Sequence, residues 1–308
     1  MQEIQKIDKI ISIILKTVNI EYFQKVLMNY KPRELVYTSF DGDYMHYILD
    51  MHKFCMRKNL IPLNPESALG YYVSTISHGG SKIPVMLDCI SLALLCENFF
   101  VFNPKNKKMP EGVIAEIIYW NKVHNKNIDI YDFFDGCFAA KEFSHKIISN
   151  QNLKEIKLNP ENKTQIKNRL LSLIDREKIK YGYTVASFYN FKHIDWVRAF
   201  CYSNNICPVS PQSILENSLY RMMYSNNLQY LYDRITLLKK TDRLYFFTNI
   251  NNIDEEIKKL DYFSKLELLY WYFNKDRKNI KIVNWADIDV PKYKRKDWAI
   301  TDSERVGR

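Results

Sequence analysis

The chain has 308 residues, 46% of them hydrophobic and 26% charged; that length suits about two domains and excludes disorder as the main state. Lys and Arg outnumber Asp and Glu by 45 to 35, a net charge of +10 that favours anionic partners such as nucleotides, nucleic acid or acidic lipid. Cys55, Cys89, Cys96, Cys137, Cys201 and Cys207 form no CxxC pair, which argues against structural zinc and a disulfide scaffold and fits reduced core cysteines in a cytoplasmic protein.

The first predicted element is a helix. Ile4, Ile7, Ile11, Ile14 and Val18 recur every three or four residues, and the helical region extends to about residue 30. Its apolar stretch, Ile10 to Leu15, is bounded by Asp8, Lys9 and Lys16. It is too short for a membrane span or a signal peptide, so no membrane partner is expected. Leu35-Val36-Tyr37 reads as a buried strand ending in the turn Ser39-Phe40-Asp41-Gly42-Asp43. A helix to about Arg57 and a strand at Leu60–Leu63 follow. A polar, Gly-containing segment from Asn64 to Ser81 leads into a helix over about 85–96. Asn98 to Phe102 is a very apolar strand. Pro110 opens a helix to about His124, and Ile128–Tyr131 is the last strand of the set. Strands alternating with helices imply a parallel sheet covered on both faces.

The same order then returns. Ser39-Phe40 recurs as Ser187-Phe188, His46 as His193, Phe54-Cys55 as Phe200-Cys201, and Pro62 and Pro65 as Pro208 and Pro211. Asp88 recurs as Asp233; Glu116, Tyr119 and Trp120 as Glu267, Tyr270 and Trp271; and Asn127-Ile128 as Asn279-Ile280. The spacing between copies drifts slowly and jumps only across the loop after the Phe-rich strand, as duplicated units diverge when insertions are confined to loops. The expected fold is therefore α/β: two tandem Rossmann-like, flavodoxin-like domains with parallel sheets flanked by helices. The N-terminal helix covers 1–30, the first domain 31–150, a linker helix 151–180, the second domain 181–285 and a basic tail 286–308. The linker helix is a candidate for the part that the N-terminal helix plays in the first copy.

In an open parallel sheet, ligands sit beyond the carboxyl ends of the strands. Glu116 lies within two turns of Pro110, near a positive helix end that favours its ionised form. A carboxylate there can attack a sugar carbon as that carbon gains positive character, and a second one, Asp88, can assist the departing base. The run Leu35 to Phe40, then Asp88-Cys89-Ile90, then Phe99 to Phe102, then Glu111 to Ile117 resembles the nucleoside 2-deoxyribosyltransferase superfamily, over about 100 residues in each half. The resemblance implies a flavodoxin-like sheet and cleavage of an N-glycosidic bond through a glutamate nucleophile. It places Glu116 as nucleophile, Asp88 on the base and Tyr37 as the residue that orients the glutamate. No metal or redox cofactor is implied.

Ser39, Phe40, Asp41, His46, Pro65, His78, Gly79, Gly80 and Gly112 are candidate substrate-binding residues, and Ser187, Asp233 and Glu267 are the second-copy equivalents. The family often has an aspartate soon after its third strand. Here Asn103-Pro104-Lys105-Asn106-Lys107-Lys108 stands there, so the lysines can meet phosphate. Six of the eight glycines lie in the first half, and Ser77-His78-Gly79-Gly80-Ser81 can wrap a phosphate through backbone N–H groups. The first half is thus expected to hold the working site and the second to be a degenerate copy, for packing or for a second ligand. A nucleoside or nucleotide is the expected partner, in transfer or hydrolysis. Two alternatives stay open: a nucleotide sensor that lost its chemistry, and a protein acting on nucleic acid through its basic surface. The copies form an intramolecular pseudo-dimer, or the chain a homo-oligomer.

Overall fold

The computed structural model describes residues 2–69, 82–134, 136, 138, 143–149, 180–186, 191–215, 224 and 227–288. The chain is α/β, built as two Rossmann-like units. In the first, β1 (Glu34–Ser39), β2 (Leu60–Leu63), β3 (Asn98–Pro104), β4 (Ile128–Phe133) and β5 (Ser144–Ile148) form a sheet of order β2-β1-β3-β4-β5. The second has β6 (Lys180–Ala186), β7 (Ile206–Val209), β8 (Arg243–Thr248) and β9 (Ile280–Asn284) in the order β7-β6-β8-β9. All pairs are parallel except β4 with β5. The first sheet is therefore mixed, not purely parallel. Its antiparallel edge strand escaped the sequence reading because Ser144 to Ile147 are all exposed and lack an apolar run.

The central strands are apolar on both faces because helices cover both. Leu35, Val36 and Tyr37 are fully buried, as are their counterparts around Tyr183. On one face of the first sheet lies α3 (Ile48–Arg57), whose Met51, Phe54 and Cys55 pack on Val36, Phe100 and Phe102. The other face meets α5 (Lys82–Leu94) and α6 (Glu111–His124). The second unit repeats this with α7 (Phe191–Ser203) on one face, and α9 (Asn227–Lys239) and α11 (Tyr262–Asn274) on the other. Short helices α4 (Pro65–Leu69) and α8 (Pro211–Leu215), each opened by proline, follow β2 and β7. Asn59 and Asn205, at equivalent places after α3 and α7, both take the left-handed conformation that asparagine tolerates better than other side-chain-bearing residues.

One apolar core runs through both units. At the seam, Arg33 pairs with Asp233, both buried, and Asp233 also accepts from Tyr224 and from Gln229 Nε2 at 2.9 Å. Tyr181 donates to the Ser91 carbonyl (2.7 Å), Tyr202 to the Leu69 carbonyl (2.6 Å), and Arg198 Nη2 to the Ser67 carbonyl (2.8 Å). The two copies thus form an intramolecular pair.

The start of the chain is two helices rather than one: α1 (Gln2–Leu15) and α2 (Ile20–Met28), the second capped by the Asn19 side chain accepting from Tyr22 N–H. The predicted stripe holds, with Ile7, Ile11, Ile14 and Val18 buried and Ile10 beside them. Its partner was not legible. Helix α1 packs on α10 (Ile253–Lys259), α11 and β9, so it covers the second unit. Asp8 accepts from Tyr272 (2.9 Å) and pairs with Arg277, and Lys9 pairs with Asp254. The linker helix and nearly all of the basic tail lie outside the described residues.

His52 on α3 is buried, and desolvation lowers its pKa from 6.5 to about 4. It is neutral in the folded chain and charges in the unfolded one, so stability is lost as pH falls from 6.5 to about 4. Denaturant titrations across that window are expected to show a shallower decline for His52→Leu than for the wild type.

Candidate functional site

The repeat acquires a definite register from the sheets. Tyr37 pairs with Leu63 and Tyr183 with Val209, so Tyr37 and Tyr183 are equivalent. Ser39 then corresponds to Val185. The sequence match of Ser39 with Ser187 is off by two residues, and Ser187 lies outside the described residues. Pro110 and Asp261 occupy the N-caps of α6 and α11, which confirms Glu116 with Glu267 and sets Gly112 against Phe263 and Val113 against Ser264. Helices α5 and α9 align Asp88 with Asp233 and Cys89 with Arg234.

The chain leaves β1 for β2 on one side and returns to β3 on the other. The carboxyl ends of β1 and β3 therefore splay at a topological switch point, the usual ligand crevice of such sheets. Ser39 ends β1 there, and Glu116 reaches it from α6. Ser39 Oγ donates to Glu116 Oε2 at 2.5 Å, and Glu116 is buried. Tyr37, fully buried two residues earlier on the same strand face, lies beside the same carboxylate. Burial, and then the Glu116 charge, raise its phenol well above the ordinary range, so it keeps its proton. A buried carboxylate held by a hydroxyl is a fixed negative charge able to stabilise, or bond to, an electron-poor carbon.

The second unit holds the equivalent carboxylate differently. Tyr183 donates to Glu267 Oε1 at 2.6 Å, and Arg234 forms an ion pair with the same oxygen; both charged side chains are fully buried. Arg234 also donates to Tyr230 (2.8 Å) and Ser264 (3.2 Å). Burial alone would lower the Arg234 pKa, but Glu267 outweighs it and holds the guanidinium charged.

The other predicted residues fall into place unevenly. Asp88 is half-buried and faces the seam; after burial itself, its charge helps raise the Tyr202 phenol and the Cys207 thiol of the second unit. Asp233 sits in the seam pair with Arg33. Phe40 packs under the aromatic cluster of the first sheet. Asp41 caps the 3₁₀ turn Gly42–Tyr47 by accepting from Asp43 N–H, and exposed His46 lies against Tyr47 with ring centroids 4.0 Å apart. Pro65 starts α4. Gly112 is exposed on the first turn of α6. Asn103, where the family often has an acid nearby, donates to Asp132 at 3.3 Å, and Lys107 and Lys108 are exposed. His78, Gly79 and Gly80 lie outside the described residues.

No protein-family model, curated protein or solved structure matches the chain significantly. Among the described residues, no cluster of His, Cys, Asp or Glu is arranged to hold a metal ion, and no helix is long and apolar enough to cross a membrane.

The residue that sequence reasoning missed is Arg234. Its signal was available: Asp233-Arg234 interrupts the otherwise apolar run Leu231 to Leu238, and charges in such a run are buried only if paired. Arg234→Met strands Glu267 without its cation and is expected to cost about 3–5 kcal/mol in chemical denaturation, most of which Arg234→Met/Glu267→Leu should recover.

Proposed function

We propose that the protein cleaves the N-glycosidic bond of a nucleoside or nucleotide, with the first unit as the working site. The observation that carries this reading is the buried Glu116 carboxylate, oriented by Ser39 beside protonated Tyr37 at the switch point of the first sheet. Glu116 attacks C1′ as the bond to the base breaks. The bonding electron pair leaves with the base nitrogen, which takes a proton from Asp88 or from water. The sugar is then held as an ester of Glu116 until water, or a second base, attacks C1′ and frees the carboxylate. Ser39 keeps Glu116 in line through its hydrogen bond. Tyr37 adds a neutral donor on the same side and offsets the cost of keeping the charge out of water.

The second unit is read as silent because Arg234 already neutralises Glu267 and Val185 cannot donate as Ser39 does. The exposed lysines after β3, Lys107 and Lys108, favour a phosphorylated substrate by charge.

The test is incubation with a panel of nucleosides, deoxynucleosides and their monophosphates, with chromatography for free or exchanged base. Glu116→Ala is expected to abolish base release without unfolding the chain, and Asp88→Asn to slow it by about 10²–10⁴-fold. Quenched wild-type reactions should carry a pentosyl mass on the peptide containing Glu116. Binding of a nucleotide with no base release from any substrate would leave a sensor in place of an enzyme.

A further inference from the structure

The two units differ at their carboxylates in a consistent direction. Arg234, Tyr230 and Phe263 crowd around Glu267. The Arg234 guanidinium carbon lies 5.3 Å from the Tyr230 ring centroid and 5.9 Å from that of Phe263. Tyr230 and Phe263 meet edge to face at 5.0 Å, and Tyr224 closes on Tyr230 at 5.2 Å. The sheet and helix equivalences put Cys89 in the place of Arg234, Val85 in that of Tyr230, Gly112 in that of Phe263 and, by counting back along the chain, Gly79 in that of Tyr224. Each large group of the second unit is answered by a small one in the first. The space is open at Gly112, where an added Cβ would meet no atom within 4 Å.

We propose that the crevice beside Glu116 takes a ligand pairing a planar cationic centre with an aromatic ring, the volume and chemistry that the second unit supplies from its own Arg234, Tyr230 and Phe263. A guanidinium against a carboxylate, framed by ring faces, is a complete site for such a group. The inference rests on Glu116 as the working carboxylate, as in the glycosidic reading, and adds the shape of the reacting ligand. The sugar carbon that flattens and gains positive character takes the guanidinium's place, and the base takes that of the rings. Gly112 sets the size of what enters.

Benzamidine, a planar cation on an aromatic ring, tests this without any turnover. Calorimetric titration of the full chain is expected to show one equivalent bound, about tenfold weaker binding or worse in Gly112→Phe and in Glu116→Gln, and wild-type affinity in Gly112→Ala. Gly112→Phe points into open space, so its thermal transition should match the wild type; Glu116→Gln is isosteric and keeps the test intact if it does not. No binding to the wild-type chain, or wild-type affinity in either Gly112→Phe or Glu116→Gln, overturns the proposal. Benzamidine binding without base release from any nucleoside retires the glycosidic chemistry alone. Base release without benzamidine binding retires the ligand shape alone.

Discussion

A carboxylate taken out of water must be met by donors or by a cation, and both units are built around that demand. Glu116 and Glu267 emerge at the same point of equivalent helices, beside equivalent tyrosines on the central strand. What differs is the second donor. The first unit spends a serine at the end of β1. The second spends an arginine from the neighbouring helix, and the arginine brings its own retinue of Tyr230, Ser264 and Phe263. A guanidinium satisfied on all sides fixes the second unit as a closed, packed object, whereas the serine leaves the mouth of the first unit lined by small residues.

The aspartates on the neighbouring helices show the same divergence at the seam. Asp233 is locked to Arg33 across the boundary between units, with Tyr224 and Gln229 completing its hydrogen bonds. Asp88, its counterpart, is half-buried against Tyr202 and Cys207. Both look across the boundary, as expected when two copies associate face to face. The pairing is fixed by side chains reaching backbone carbonyls, with Tyr181, Tyr202 and Arg198 each crossing from the second unit to the first.

Much of the fold was legible because parallel sheets covered on both faces need continuous apolar strands, and Leu35 to Tyr37 and Phe99 to Phe102 announce themselves. The duplication was legible because proline, cysteine and Tyr-Trp landmarks recur in order. The register was not: a match of serines two residues beyond the true one looks as good in one dimension, and only the ladder of hydrogen bonds places Val185 opposite Ser39. The polar edge strand β5 was invisible for want of a buried face. Of the candidate site, Tyr37, Ser39 and Glu116 converge. The contrast between Cys89 and Arg234 was hidden because equivalence at that position becomes informative only once the helices are aligned in space.

The chain begins by covering its own far half. Helix α1 belongs in sequence to the first unit and in space to the second, where its isoleucines complete the core beside α11 and its Asp8 holds Tyr272 and Arg277. The midpoint of the sequence is consequently not a boundary between self-sufficient pieces. Two fragments divided there would each carry an apolar surface shaped for the other, so the halves are suited to complementation as a split pair and unsuited to exchange as independent modules.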